Sequence, residues 1–414
     1  MSSIWPFTPR GTGALVLGVA AFIAAGELGL VELVYFGVLL VAAVLTSLIS
    51  LYVAQRTDSV ERALHPDVVA VGREAEVTVR VGARSALPTA TGLWHDALPV
   101  GLAGSAEGVF PALASGLRGA ERTVDLSYRV RGTSRGIHAI GPLSVRVLDP
   151  FGLVRRNTVL GDRTRVVVAP EVVELPSLRI ASGESGGMRH MTNERLGQGS
   201  DNLTPRTYVP GDSMRRIHWR ASAHHDSLMV RQEEQESTPE ATVMLDRSAT
   251  RWDPLATAAP GADPGFEVAV SACVSAMARL VRDGFAVDVA DSDGVLLADP
   301  IAGGDLVEVD HAVADFASLR ARNGDTLPRL PHLFVGAMTG PLVLIVGRFD
   351  PADADALASV AHHTSAAILL AVDPRADALE RATAHGWHAA RVGEGEVADA
   401  WAQAAETEAG RVLR

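Results

Sequence analysis

Apolar and polar positions follow three different rhythms along the chain, and each predicts a different kind of structure. The first is unbroken apolar sequence. Gly11 to Gly26 is uncharged and contains Leu15, Val16, Leu17, Val19, Phe22 and Ile23; Leu33 to Ala54 is a second uncharged run. At about 1.5 Å per helical residue the second run is long enough to cross the roughly 30 Å hydrocarbon core of a bilayer. The first is short for a span unless it borrows Leu28, Leu30 and Val31 beyond Glu27, and taken alone it also fits a signal peptide with Arg10 in the charged leader. The second run so close behind fits a transmembrane helical hairpin over residues 1–56 better. Arg10 precedes the pair, Arg56 and Arg62 follow it, and the connecting loop carries only Glu27 and Glu32. The positive-inside rule then puts both ends of the hairpin, and everything after it, in the cytoplasm, with the chain anchored in the inner membrane.

From residue 57 to about 180 the period drops to two. Glu76-Val77-Thr78-Val79-Arg80-Val81, Thr123 to Val130 and Leu143 to Leu148 alternate apolar and polar positions, and Arg131-Gly132, Arg135-Gly136 and Gly141-Pro142 punctuate them. Short alternating runs between turn signals predict antiparallel strands in an all-β, sandwich-like domain. Asp149-Pro150-Phe151-Gly152-Leu153 reads as a tight turn with Phe151 as an apolar plug.

Residues 181–240 form a linker followed by a dense polar segment. Ala181 to Gly199 is rich in Gly, Ser and Met without periodicity. Gly183-Glu184-Ser185-Gly186-Gly187 matches the spelling of a hydrolase nucleophile elbow, but that elbow needs a buried strand before it and a helix after it, so the match is a coincidence of spelling.

From 241 to 414 the period alternates between strand and helix. Ala241–Leu245, Phe285–Val289, Leu342–Val346, Ala366–Val372 and His388–Val392 are strand-like. A helical stripe of Phe266, Val270, Cys273, Val274, Met277, Leu280 and Val281, and helical patterns over 306–319, 353–362, 376–385 and 396–410, separate them. Such alternation predicts a doubly wound α/β domain, and the wholly apolar Leu342–Val346 predicts a strand buried on both faces. Asp293-Gly294 before Val295-Leu296-Leu297 predicts a hairpin that adds an edge strand.

Composition changes the picture in three places. The chain has 414 residues, room for two or three domains, and 47% hydrophobic residues, which suits globular domains plus membrane sequence. A formal charge of -12 argues against a nucleic-acid partner held by bulk electrostatics. The single cysteine, Cys273, allows no internal disulfide and suits a reducing compartment.

The segment from Gly199 to Glu236 concentrates the polar chemistry. Pro210-Gly211 is a turn signal, and Asp212 or Ser213 fits the N-cap of a helix placing Met214, Ile217 and Ala221 on one face and Arg216 and Arg220 on another. Leu228-Met229-Val230 reads as a short strand. Five arginines, Arg206, Arg215, Arg216, Arg220 and Arg231, lie near Asp212, Glu233, Glu234 and Glu236. Arginine clamps carboxylates and phosphates in bidentate fashion, so the cluster is either an internal ion-pair network or a docking surface. Arg215, nearest Asp212, is expected to be structural, and Arg220, beside Ser222, to serve docking.

The run Arg206-x-Tyr208-x-Pro210-Gly211-Asp212-x-x-Arg215-x-Ile217-His218-Trp219-x-x-Ser222-Ala223 resembles the signature of the bacterial family called domain of unknown function fifty-eight. That resemblance covers nearly the whole chain. It implies a membrane-anchored protein whose C-terminal part, 241–414, is a von Willebrand factor A-like domain. It also implies partnership with a MoxR-type AAA+ ATPase and a transglutaminase-like membrane protein, in a chaperone-like or cell-envelope role.

In a von Willebrand A-like domain a divalent ion, here Mg²⁺, binds at the carboxyl ends of the strands, first through Asp-x-Ser-x-Ser. This chain has Asp246-Arg247-Ser248-Ala249-Thr250, which keeps a hydroxyl in the last place and supplies hard oxygen ligands. After the central strand, relatives carry Ser-Asp-Phe where this chain has Gly347-Arg348-Phe349, with Asp350 next. An arginine at a ligand position repels a metal, and Arg247 beside Asp246 points the same way. The adjacent pairs His224-His225 and His362-His363 face different directions and make no metal pair. The sequence thus predicts a binding and assembly protein and not an enzyme, against the alternative of a metal-dependent hydrolase using Asp246 to Thr250.

Overall fold

The computed structural model describes residues 5–53, 55–85, 90–112, 122–178, 203–208, 214, 217–225, 227–233, 239–334 and 339–409. Two helices open the chain, α1 (Pro9–Leu28) and α2 (Val31–Val53), both long and apolar enough to cross a membrane. Thr8 caps α1 by accepting from Gly11 N–H, and Gly29 ends it in the left-handed conformation that a side chain would strain. The helices approach closely at Gly18 and Gly37, where an added Cβ on either would meet the other's carbonyl or the side chains of Val41 and Phe22. Their outer faces expose Leu17, Ile23, Leu39, Leu45 and Ile49, as a lipid-facing pair would. A third helix, α5 (Pro264–Arg282), passes the same test of length and composition, but its apolar residues are enclosed in the C-terminal core.

Eleven strands follow: β1 (Gln55–His65), β2 (Val68–Ala70), β3 (Glu74–Ser85), β4 (Gly92–Asp96), β5 (Leu102–Gly104), β6 (Glu107–Phe110), β7 (Arg122–Gly132), β8 (Gly136–Ile140), β9 (Leu143–Leu148), β10 (Arg155–Leu160) and β11 (Thr164–Ala169). They build two four-stranded sheets, β1-β3-β7-β5 and β10-β9-β4-β6, and a smaller one, β2-β11-β8. Alternation buries Val77, Val79 and Val81 of β3 and Leu143, Val145 and Val147 of β9 in one core with Trp94 and Tyr128. Inside it Arg62 donates from Nε and Nη2 to Asp96 at 2.9 Å each, and Tyr128 Oη donates to Asp96 at 2.8 Å.

The Asp149–Leu153 turn differs from the plug that the sequence predicts. Phe151 is exposed, and the turn is held by Asp149, which accepts from Phe151 N–H and Val154 N–H. Its carbonyls receive the start of α1: Thr8 N–H donates to Leu153 O and Thr8 Oγ1 to Gly152 O. The turn therefore ties the apolar hairpin to the β-domain, and its aromatic ring is left at the surface.

After β11 the segment 170–178 leaves the sheets and lies across α5. Ser271 Oγ donates to Glu171 O, Val173 N–H to Ser275 Oγ, and Trp401 Nε1 to Pro176 O, while Leu175 and Leu178 join the C-terminal core. The segment 203–233 carries a two-stranded ladder, β12 (Leu203–Thr207) with β13 (Met229–Glu233), and the short helix α3 (Trp219–His225).

The C-terminal body holds five parallel strands, β14 (Glu240–Leu245), β15 (Ala286–Asp291), β16 (Leu342–Phe349), β17 (Ala367–Pro374) and β18 (His388–Arg391), in the order β15-β14-β16-β17-β18. After β14 comes a one-turn helix, α4 (Leu255–Ala258). On one face, α5, α6 (Leu306–Asp315) and α9 (Val397–Ala409) cover Val243, Leu245, Val343, Ile345, Ile368 and Leu370. On the other, a 3-10 segment at Leu327–Phe334 with α7 (Pro351–Ala356) and α8 (Ala378–Ala384) covers Met244, Leu342, Leu344, Val346 and Leu369. Burial on both faces explains why β16 reads as an uninterrupted apolar run. Beyond β15 the Asp293-Gly294 turn brings Leu296 and Ile301 back into antiparallel bridges with Ala290 and Val287, a rudimentary edge strand.

Candidate functional site

In a doubly wound sheet, ligands sit where neighbouring crossovers leave on opposite faces, at the carboxyl ends of the strands. Here that point lies between β14 and β16, and Asp246 follows β14 directly, fixed by its N–H to Ile345 O at 2.9 Å. Its carboxylate is fully buried. Oδ1 accepts from Ser248 Oγ at 2.6 Å, Ser248 N–H at 3.2 Å and Ser292 Oγ at 2.8 Å. Thr326 completes the hydroxyl cluster: its N–H donates to Ser248 Oγ at 3.0 Å, and its Oγ1 lies within hydrogen-bond reach of Ser248 and Ser292. Two separate loops thus converge on one carboxylate oxygen, and a third, through Thr326, meets the hydroxyls that donate to it.

The other oxygen, Oδ2, is buried and has no hydrogen-bond partner among the described residues; it faces Arg251 Nε at 3.3 Å. A 3-10 turn at Ala249–Arg251 swings Arg251 back under the strand ends, where its side chain is 5% exposed. Nη1 and Nη2 clamp Asp353 at 2.7 and 2.9 Å, Nε and Nη2 reach Asp325 at 3.1–3.2 Å, and Nη1 also donates to Arg348 O at 3.1 Å. Burial pushes the Asp246 carboxyl up from its ordinary range, against the lowering by Ser248, Ser292 and Arg251. Burial also works against the Arg251 charge, but Asp353, Asp246 and Asp325 outweigh it and hold the guanidinium firmly protonated. The next residue, Trp252, donates from Nε1 to Asp246 O, and its ring leaves no room for a side chain at Gly347: a Cβ there would lie 2.4 Å from Arg251 O and 2.9 Å from the indole.

The residues singled out from the sequence divide. Asp246 and Ser248 meet in this cluster. Thr250 is exposed instead, on the rim of a neighbouring cleft of about 300 Å³ that Trp252, Arg348, Asp373 and Arg375 also line. Arg348, expected to oppose a metal, points to Asp350 at 3.6 Å; the guanidinium that faces Asp246 is that of Arg251. Arg247 turns to Asp291 at 2.8 Å, where Arg322 joins it at 3.0 Å. Ser292, Thr326 and Arg251 were missed. Ser292 follows a strand-ending Asp291, and Arg251 directly follows the Asp246–Thr250 motif; both positions carry a signal, whereas Thr326 lies in a loop with none.

Mg²⁺ demands oxygen ligands at about 2.0–2.1 Å in near-octahedral array. With a guanidinium against the one open carboxylate oxygen, the residues as they stand do not fit that ion. Among the described residues no group of three or more His, Cys, Asp or Glu side chains could hold a metal.

The second candidate region is the signature segment. Arg206 lies in β12 opposite Val230, and Tyr208 is half-buried with its N–H donating to Leu228 O at 2.7 Å. Gly211, Asp212, Arg215 and Arg216 lie outside the described residues, as do the side chains of Arg206, Arg231, Glu233, Glu234 and Glu236. The helix begins later than the periodicity predicts. Ile217 is buried and bridges to Val230 as extended chain, and α3 starts at Trp219 with His218 as its cap, Ala221 N–H donating to His218 Nδ1 at 3.0 Å. Pairing with β13 outcompetes the helical pattern at Ile217, so Met214, which is exposed, and Ile217 share no face. Ser222 Oγ donates to His218 O at 3.0 Å and accepts from Met229 N–H at 2.8 Å, locking α3 onto β13. Trp219 and Arg220 are exposed, Trp219 to 70%.

A family model described as "Protein of unknown function DUF58" matches residues 204–291, the stretch from β12 through the signature segment to the end of β15. This agrees with the resemblance carried by Arg206 to Ala223. No curated protein matches the chain. Among solved structures, the chain is similar to a CARDB domain from Pyrococcus furiosus, crystallised in complex with di-metal ions. Identity is 18%, over 27% of this chain and 88% of that one, with a TM-score of 0.18. It is also similar to the alkylpurine DNA glycosylase AlkC of Pseudomonas fluorescens bound to DNA containing an abasic site analog. Here identity is 13%, over 31% of this chain and 39% of that one, with a TM-score of 0.16. At such scores neither likeness bears on fold or function.

Proposed function

We propose that this chain is a membrane-anchored binding and assembly protein, working from the cytoplasmic face of the inner membrane, whose partner docks on the outward face of the signature segment. The observation that carries this is Trp219. A tryptophan that is 70% exposed beside an exposed arginine, with Met214 also exposed, offers a partner apolar surface next to a charge. Trp and Arg are also the residues that dominate interface energies. The resemblance supplies the partner class, a MoxR-type AAA+ ATPase, with a transglutaminase-like membrane protein as a further member of the assembly. The strand order of the C-terminal body, with its antiparallel edge beyond β15, supports a von Willebrand A-like domain. A hydrolase built on Asp246 to Thr250 is disfavoured because Arg251 neutralises the carboxylate such chemistry would need and Thr250 faces away from it.

The test is a crosslinked pull-down of the full chain from native membranes, with a photoreactive group at position 220. An AAA+ ATPase captured by the wild-type chain and lost in Trp219→Ala, at unchanged melting temperature, is the expected result. Equal capture by both chains would place docking elsewhere. A purified protein that hydrolyses a substrate in a metal-dependent way, lost in Asp246→Ala, would favour the enzyme instead.

A further inference from the structure

At the carboxyl end of the sheet three carboxylates surround a buried guanidinium. Asp246 offers one oxygen already saturated by hydroxyls and a second, buried and aimed inward, that accepts no hydrogen bond among the described residues. Asp325 approaches from a further loop and Asp353 from the first turn of α7. Three carboxylates converging on one point need a positive charge between them. The charge present is the guanidinium of Arg251, 3.3 Å from Asp246 and 2.7–3.1 Å from the other two.

We propose that Arg251 is a built-in substitute for a divalent cation, so that this face is metal-independent in the native chain and becomes a metal site when the guanidinium is removed. The donor inventory supports a structural role. Guanidinium has five N–H groups, and here all three nitrogens are engaged, by Asp353, Asp325, Asp246 and the carbonyl of Arg348. An incoming acidic ligand would therefore have to displace one of the protein's own carboxylates. The 3-10 turn and the absence of a side chain at Gly347 hold the arginine in place, since a Cβ at Gly347 would collide with Arg251 O. As they stand Asp246, Asp325 and Asp353 form no metal site; without the guanidinium their uncompensated charge would draw Mg²⁺ or Mn²⁺ between these hard oxygen ligands. This inference is independent of docking at Trp219, on a different part of the chain.

The experiment uses the full chain in detergent, with Mg²⁺ and Mn²⁺ as probes. The wild-type melting temperature should coincide in millimolar Mg²⁺, millimolar Mn²⁺ and EDTA, and titration calorimetry should show no site for Mn²⁺. Arg251→Ala should melt lower in EDTA and rise with added Mn²⁺ or Mg²⁺, and the rise should vanish in Arg251→Ala/Asp353→Ala. An Arg251→Ala chain recovered folded only when Mn²⁺ is present supports the same conclusion. A wild-type chain that binds Mn²⁺ with micromolar affinity lost in Asp246→Ala would overturn the proposal. So would an Arg251→Ala chain, folded or not, that is indifferent to both ions.

Discussion

Arg135 of the β-domain clamps Glu267 of α5 through two parallel hydrogen bonds, Nη2 to Oε1 at 2.6 Å and Nε to Oε2 at 2.7 Å. The guanidinium is fully buried, and its Nη1 also donates to Phe316 O and to Leu319 O at 2.9 Å. One side chain thus caps a helix end and pairs with α5 across the boundary between the β-domain and the α/β body. Removing one member of a buried pair strands the other and costs about 3–5 kcal/mol. Because Glu267 keeps some solvent access, Arg135→Ala is expected near the lower end, about 3 kcal/mol, and Glu267→Gln, which keeps acceptor and shape, below that. Chemical denaturation followed by fluorescence of Trp94 and Trp252 checks this. Two separated transitions in Arg135→Ala would show the halves uncoupled, whereas unchanged midpoints would show that the clamp contributes nothing.

The Asp96 cluster gives a pH dependence with a definite sign. Burial, and next the neighbouring Asp96 carboxylate, push the Tyr128 phenol well above its ordinary value. The folded chain therefore holds this proton where the unfolded chain, with a phenol pKa of about 10, releases it. Stability from this source is complete below about pH 10 and is lost as pH rises further, because the folded state then binds more protons. Tyr128→Phe should cost about 1 kcal/mol at neutral pH through the lost bond to Asp96. It should also make the alkaline loss shallower. Urea midpoints between pH 8 and 11 for the two chains measure both effects, and parallel curves would sink the assignment.

How much of this was legible in the sequence depended on the range of the signal. Local periodicity placed the apolar hairpin, the alternating strands and the α5 stripe, because each is set by which face of one element is buried. The wholly apolar Leu342–Val346 announced a central strand, as β16 proved to be. Long-range polar contacts were not legible. Arg135 read only as part of an Arg-Gly turn, since its partner is remote in sequence. Asp246 and Ser248 were visible as a motif, but the charge opposite them was assigned to Arg348, and only the backward 3-10 turn shows that Arg251 fills that place. The helix expected from Asp212 shortened to α3 because Ile217 gains more from pairing with Val230 than from helical periodicity.

Cys273 lies at the centre of α5 with no exposed surface, and burial raises its thiol pKa far above the ordinary range. Since the thiolate is the reactive form, alkylation of the folded chain by iodoacetamide at pH 8 should be slower by orders of magnitude than in denaturant. Its rate should track opening of the α/β core. Rapid stoichiometric labelling under native conditions would contradict the packing around α5.

The arginines that flank the hairpin and the glutamates in its loop predict a cytoplasmic orientation that a reporter can test. A reporter active only in the cytoplasm, fused after Arg414, should be active, and one active only in the periplasm should be silent. The reverse result would remove any cytosolic ATPase from consideration.

The signature segment allows the sharpest separation of structure from docking, because Ser222 of α3 is hydrogen-bonded to β13 whereas Trp219 and Arg220 are exposed. Ser222 accepts from Met229 N–H and donates to His218 O, so Ser222→Ala leaves a half-buried backbone donor unpaired, at a cost of about 1–3 kcal/mol. Trp219 and Arg220 face solvent, and surface truncations of that kind shift stability by no more than about 0.5 kcal/mol. Their loss should instead abolish capture of the partner. The same four proteins, wild type, Ser222→Ala, Trp219→Ala and Arg220→Ala, therefore need both a melting curve and a pull-down. If Trp219→Ala unfolds at growth temperature, the indole is part of a packed surface and the exposed-face assignment fails. If Ser222→Ala melts like wild type yet loses the partner, the hydroxyl itself is the contact, and docking lies on the β13 side of the helix.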